Sequence, residues 1–220
     1  NYNIGCTAGI EADSCKPEWV EGLNRMNINL VSSTFAKKTF EKMAFEKKSK
    51  QNPNQVIGTV KLEKPIHVIF EGVNLDIYKP LKKSELSTFD FSEIKESFCY
   101  LFVGHGEFTD SEMNELYNDS KVKAMISLTK GEGFGRPLLE FTTTGKPVIA
   151  SGWSGHTDFL HKNHSILVPG DLEPVHQSAA NNWLIKESNW FKPDTRFVGQ
   201  ILRDTFEKPK ESQNNSKRQK

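Results

Sequence analysis

Charge of one sign is missing from this chain: 29 Lys and Arg stand against 28 Asp and Glu over 220 residues, a net charge of +1. That balance removes any global electrostatic case for nucleic acid as a partner. Cysteine is scarce. Cys6, Cys15 and Cys99 share no CxxC spacing, which excludes the common zinc and redox frameworks. So sparse and odd a set suits a reducing compartment, with each thiol unbridged. No apolar run approaches the roughly 20 residues that a membrane-spanning helix needs. No transmembrane segment is therefore expected, and a cytoplasmic location follows by default. His105, His156, His161, His164 and His176 show no metal-ligand spacing with an acidic partner, and no paired-aspartate motif stands in a convincing place. No metal and no cofactor is expected. Internal repeats are absent as well. The opening Asn1-Tyr2-Asn3-Ile4 has neither an initiator Met nor a signal-peptide pattern, and reads as the start of a fragment.

What is present is an ordinary globular composition, 36% apolar and 26% charged, sufficient for one or two domains with a real core. Asn27 to Val31 reads as a strand. Ser32-Ser33-Thr34 offers cap hydroxyls to a helix whose apolar face is Phe35, Ala36, Phe40, Met43 and Ala44. Pro65 opens a strand from Ile66 to Phe70, and a junction is expected near Tyr78-Lys79-Pro80. Leu81 to Lys95 reads as loop or frayed helix. A strand-helix alternation then takes over. It has strands at Phe98–Val103, Val122–Leu128, Pro147–Ala150 and Ser165–Val168, and helices capped by Thr109 and entered at Arg136. Further amphipathic helices are read over Glu173–Glu187 and Thr195–Glu207. Short apolar strands alternating with helices predict an α/β fold with a parallel sheet covered on both faces. The tail, residues 208–220, is basic, polar and expected to be disordered.

The chemistry concentrates in Thr129-Lys130-Gly131-Glu132-Gly133-Phe134-Gly135-Arg136-Pro137-Leu138-Leu139-Glu140. This segment follows a strand and enters a helix, the place where open α/β sheets bind ligands. Three glycines permit close backbone approach. Free N–H groups around Gly135 to Leu138 present the positive end of the helix to a phosphate. Glu132 in the loop and Glu140 inside the helix each accept two hydrogen bonds well, as vicinal sugar hydroxyls require. A ribose, a diphosphate and a hexose in line would use all three features, so the expected ligand is a nucleotide sugar. His156 and Trp153 follow the Pro147–Ala150 strand. His156 is either a cleft residue or a loop residue, and Trp153 either stacks on a base or sugar or packs.

The segment resembles the donor motif of glycosyltransferase family 4 (group 1), retaining, metal-independent enzymes of the GT-B fold. Their hallmark is two glutamates separated by seven residues, the first within Glu-Gly-Phe-Gly, as in Glu132-Gly133-Phe134-Gly135 with Glu140 here. The resemblance implies that Glu132 is the catalytic residue contacting the transferred sugar and that Glu140 holds the nucleotide ribose. The amides of Phe134 and Gly135 would hold the sugar. Gly133, Arg136, Leu138, Lys130 and Gly104 complete the expected donor-binding set. Thr144 to Ala150, Gly152 to Asp158 and the Glu71-Gly72-Val73-Asn74 junction are similar to other parts of the family. The implied division is a remnant of an acceptor-side N-terminal domain over 1–64, a Rossmann-like donor domain over 65–207, and the tail.

Two departures stand out. Against the resemblance, most of the acceptor domain is expected to be missing, and the chain runs from Phe102-Val103-Gly104 almost directly into the next helix. The segment that carries the family's diphosphate-gripping Arg and Lys is therefore missing too. Two lost charged hydrogen bonds would cost roughly 3–6 kcal/mol. This keeps a second reading open, an inactive or partial nucleotide-sugar-binding remnant. A third, a glycoside hydrolase using Glu132 and Glu140, needs two carboxyls about 5–10 Å apart facing one bond. A glycine loop leading into a helix fits that poorly. A glycan, a lipid or a protein would each serve as acceptor in this reading.

Overall fold

A computed structural model of the chain describes residues 1–87, 89, 107–181 and 183–207. The expected strand Phe98–Val103, Gly104, Cys99, His105 and the tail 208–220 lie outside the described residues. The N-terminal half runs β1 (Ile4–Thr7), α1 (Pro17–Asn24), β2 (Ile28–Val31), α2 (Thr34–Lys42), β3 (Ala44–Lys48), β4 (Val56–Lys61) and β5 (Ile66–Val68). Strands β1, β2 and β5 form one parallel sheet in that order, while β3 and β4 make an antiparallel hairpin. Pro17 opens α1 with a fixed φ and no wasted donor. Ser33 caps α2 by accepting the Ala36 amide at 3.1 Å. The apolar stripe lands where expected, with Ala36 and Phe40 fully buried and Met43 nearly so. The helix ends at Lys42, however, and Ala44 begins β3 instead of a further turn.

The C-terminal half runs α3 (Asp110–Asn118), β6 (Met125–Ser127), α4 (Arg136–Thr142), β7 (Val148–Ser151), β8 (Ile166–Val168), β9 (Gly170–Pro174), β10 (Asn189–Pro193) and α5 (Thr195–Glu207). Strands β6, β7 and β8 are parallel and adjacent in chain order. Helix α3 starts in a reciprocal capping box between Thr109 and Glu112. All four residues of β7 are buried. Val148 and Ala150 pack with Leu138, Phe141 and Leu160, and Ile149 packs with Val168 and Val198. The central strand is therefore covered on both faces, as the apolar runs predict.

Two readings need correction. The stretch 173–187 is not a helix: Glu173 belongs to β9, which pairs antiparallel with β10, and only Gln177–Ala179 makes a single 3-10 turn. Pro174 supplies no N–H and pushes the preceding residue toward extended backbone, which favours a strand over a helix there. The strand after Pro65 pairs with β2, so it completes the N-terminal sheet. A division between residues 64 and 65 thus cuts that sheet, and the chain crosses to the other half only after β5. Among the described residues no helix is long and apolar enough to cross a membrane.

The halves meet along a tight seam. Asp158 caps the first turn of α2 by accepting the Thr34 amide at 2.6 Å. The Asp13 carboxylate accepts the Asn189 amide at 2.7 Å, and the Asp13 amide donates to the Asn189 carbonyl at 3.0 Å. Trp19 meets Trp183 edge-on at 5.6 Å, and Phe35 meets Trp153 at 4.8 Å.

Candidate functional site

The loop from Thr129 to Gly135 leaves β6 and turns into α4. Gly135 caps that helix at φ 91°, ψ 47°, a left-handed conformation that only glycine adopts cheaply. The Leu138 amide closes the turn on the Gly135 carbonyl at 3.0 Å, and Leu138 itself is buried against Tyr117 and Phe141. Leu138 is thereby a core residue whose N–H is already used, contrary to the expectation that it faces a donor. The amides of Phe134, Gly135 and Arg136 have no partner among the described residues.

Gly131 and Gly133 meet protein. A Cβ on Gly131 would stand 2.0 Å from the Glu11 carbonyl oxygen, and one on Gly133 would stand 2.6 Å from the Ala8 carbonyl oxygen. The segment following β1 therefore lies directly on the glycine loop. From the other side the loop after β7 clamps it. Ser154 Oγ accepts the Glu132 amide at 2.9 Å, and the Gly155 amide donates to the Glu132 carbonyl at 2.9 Å. Ser154 holds φ 82° to do this, a strained setting for a non-glycine residue. With its backbone tied at both ends, Glu132 is the loop's fixed acid.

The Glu132 side chain is half-buried and lines a cavity of about 340 Å³, together with Glu11, Thr129, Leu184 and Trp190. Burial lifts its carboxyl above the ordinary range, while the Thr129 hydroxyl acts the other way. Glu140 does not line this cavity. It is buried at 7% exposure and accepts Arg136 Nε at 2.9 Å, a pair one helical turn apart. The ammonium of Lys130 lies 2.6 Å from Glu173 Oε1 and 4.3 Å over the Trp190 ring. Both cations of the motif are therefore committed to carboxylates. Phe134 is a core plug between Phe70 and Phe159. Trp153 stacks on Phe191 at 6.1 Å. His156 is fully buried behind Gly135, its Nε2–H donating to the Ser151 carbonyl at 2.6 Å and its Nδ1 without a partner. Burial lowers its pKa. Among the described residues no group of three or more His, Cys, Asp or Glu is placed to hold a metal.

Glu11, Ser154, Leu184 and Trp190 escaped sequence reasoning. Only an acid between Ile10 and Ala12 in a glycine-containing loop hinted at the first. Trp190 was hidden by reading its hairpin partner as a helix.

Two parallel α/β sheets joined by a seam, with a glycine loop and its helix at the end of one strand, define a GT-B-type protein. The likeness extends to solved structures of that fold. The sucrose-phosphate synthase of Thermosynechococcus elongatus is similar at a TM-score of 0.58 and 13% identity, over 91% of this chain and 55% of that one. HepE of Anabaena, solved in complex with UDP and glucose, is similar at 0.58 and 13% identity, over 98% of this chain and 65% of that one. The chain spans a little over half to about two thirds of their lengths. No curated protein matches it. Residues 91–197 match the family model of glycosyl transferases group 1.

Proposed function

We propose that this chain binds a nucleotide sugar and transfers its hexosyl group, with retention of configuration, to an acceptor hydroxyl. The observation that carries the reading is Glu132, an acid fixed at both ends of its backbone at the carboxyl end of a parallel strand. Its carboxylate faces a cavity within the segment that matches the family. HepE, similar in fold, was solved with UDP and glucose, the kind of ligand this site would take.

In this reading Glu132 accepts hydrogen bonds from hydroxyls of the transferred sugar and fixes its orientation; it is not assigned as nucleophile. Glu140 receives the ribose hydroxyls, with Arg136 holding its carboxylate. The free amides of Phe134 and Gly135 face the sugar, and the start of α4 faces the diphosphate. The bond from the anomeric carbon to the diphosphate breaks, a bond to the acceptor oxygen forms, and the acceptor proton leaves with the nucleoside diphosphate. No metal or other cofactor enters this scheme, and a cytoplasmic setting belongs to it. A panel of UDP- and GDP-sugars tests it: release of nucleoside diphosphate from one of them is expected, and no turnover with any donor sinks it.

A specific observation favours a second reading, binding without transfer. Lys130 and Arg136 are tied to Glu173 and Glu140, so neither is free to neutralise a leaving diphosphate. Calorimetric binding of a sugar nucleotide with no turnover would select this reading.

A further inference from the structure

We propose that Glu11, from the N-terminal half, is a second substrate-binding carboxylate of this site, facing Glu132 across the cavity and accepting hydrogen bonds from hydroxyls of the same sugar ring. The inference rests on the nucleotide-sugar reading above and adds to it a residue from outside the glycine loop and outside the segment that matches the family.

The placement is rigid. Gly131 has its Cα pressed beneath the Glu11 carbonyl, so closely that no side chain fits between them. The Glu11 backbone therefore keeps a fixed position relative to Glu132, one residue further along the loop. Both residues line the same cavity of about 340 Å³, at the lower end of small-molecule site volumes, which start at about 300 Å³. Glu11 is exposed, while Glu132 is half-buried.

The two acids are unneutralised. Among the described residues no cation pairs with either of them. The lysine beside them, Lys130, is held by Glu173 and stands over Trp190. Burial raises the Glu11 carboxyl above its ordinary value, and the charge of Glu132 raises it further. Placing two like-charged groups at one cavity without a counter-ion is costly unless something else satisfies them. Trp190 lines the same cavity. Two carboxylate acceptors at one half-open cavity, with Trp190 on its wall, suit a neutral ring bearing several hydroxyls, which donates to the acids. An anion would meet two carboxylates, and an apolar ligand would leave both acids unsatisfied. The pair of acids therefore selects a sugar ring over either.

The test is calorimetry with UDP, glucose and UDP-glucose on the wild-type chain, Glu11→Gln and Glu132→Gln. Glu11→Asp serves as a variant that keeps the charge but draws it back, and melting curves confirm that each folds. UDP is expected to bind all four chains alike. UDP-glucose is expected to bind Glu11→Gln and Glu132→Gln about ten-fold or more weakly than wild type, as loss of a hydrogen bond to a charged group implies. Glu11→Asp should fall between. If Glu11→Gln binds UDP-glucose as the wild type does, or loses UDP equally, the inference is overturned. If the wild type binds no UDP yet binds glucose in a Glu11-dependent way, the nucleotide reading fails and the sugar site stands.

Discussion

The two halves of the chain share a plan and differ in what they bring to the seam. Each is built on three parallel strands, β1-β2-β5 and β6-β7-β8, and each sends a loop from the carboxyl end of its first strand toward the other. The N-terminal loop, residues 8–11, offers two carbonyls and the Glu11 carboxylate. The C-terminal loop offers glycines and the Glu132 carboxylate. Two glycines that the sequence assigns to a ligand are spent on those carbonyls, and the room left over is the cavity between the two acids. Glycine in a loop thus reports that something approaches the backbone closely, without saying whether it is a ligand or a neighbouring strand of the same chain.

The sharpest way to break the seam is Gly131→Ala. The added carbon would stand 2.0 Å from the Glu11 carbonyl oxygen, and backbone on both sides leaves no flexible atom to yield. Overpacking of this kind is expected to cost about 3 kcal/mol. Urea unfolding would read it as a lower midpoint. Gly58→Ala is the control, because nothing lies within 4 Å of its added carbon, and it is expected to change stability by less than about 0.5 kcal/mol. Equal effects from the two would mean that the halves do not pack as described.

A smaller effect is expected inside the C-terminal half, away from the seam. Lys146 donates to the carbonyls of Tyr117 and Asp119, each at 2.6 Å, and so closes the end of α3. Lys146→Met removes both bonds and should cost about 1–2 kcal/mol. Burial holds the Lys146 ammonium down to about 8, against 10.5 for a free lysine. The unfolded chain therefore binds more protons between those values, and wild-type stability rises with pH across that window. In Lys146→Met the rise should vanish, which a pair of urea curves at pH 8 and pH 10.5 would show. Sugar-nucleotide binding should be unaffected, separating this interior cap from the seam.

Local signals served the C-terminal half well. The capping box at Thr109 and Glu112 marks α3, apolar runs bounded by Gly and Pro mark β7 and β8, and Gly135 with Pro137 marks the entry to α4. Each depends on residues within one turn of each other. The spacing of Glu132 and Glu140 was legible for the same reason, but their surroundings were not. That Glu140 would be buried beside Arg136 while Glu132 faces a cavity depends on what packs over each. Glu11 was illegible because its partner is more than a hundred residues away in the chain. The β9–β10 hairpin is a different case: its apolar residues suit a helix as well as a strand, and Pro174 is the local signal against a helix.

The pairing of Glu11 with Glu132 makes the seam itself sensitive to pH, and here the expected effect is the smallest. Both carboxyls sit above the ordinary value of 4.5 in the folded chain, so between 4.5 and their raised values the folded state holds more protons than the unfolded one. Stability from this pair is full below that window and declines as pH climbs through it. Thr129 and Lys130 face the same space. The former partly offsets the burial of Glu132, and the latter is engaged by Glu173. Glu173 itself is held below the ordinary range, chiefly by Lys130, and contributes the opposite slope at lower pH. Subtracting the urea curve of Glu132→Gln from that of the wild type removes Glu173 and every other common group. The difference should slope downward with rising pH, because the variant loses one raised acid and relieves Glu11 of its neighbour's charge. Water reaches both groups in part, so screening keeps the slope shallow. A difference that is flat, or that climbs with pH, would mean the two acids do not face one another across a shared, poorly hydrated space, and the contrast between the seam and the interior would lose its electrostatic half.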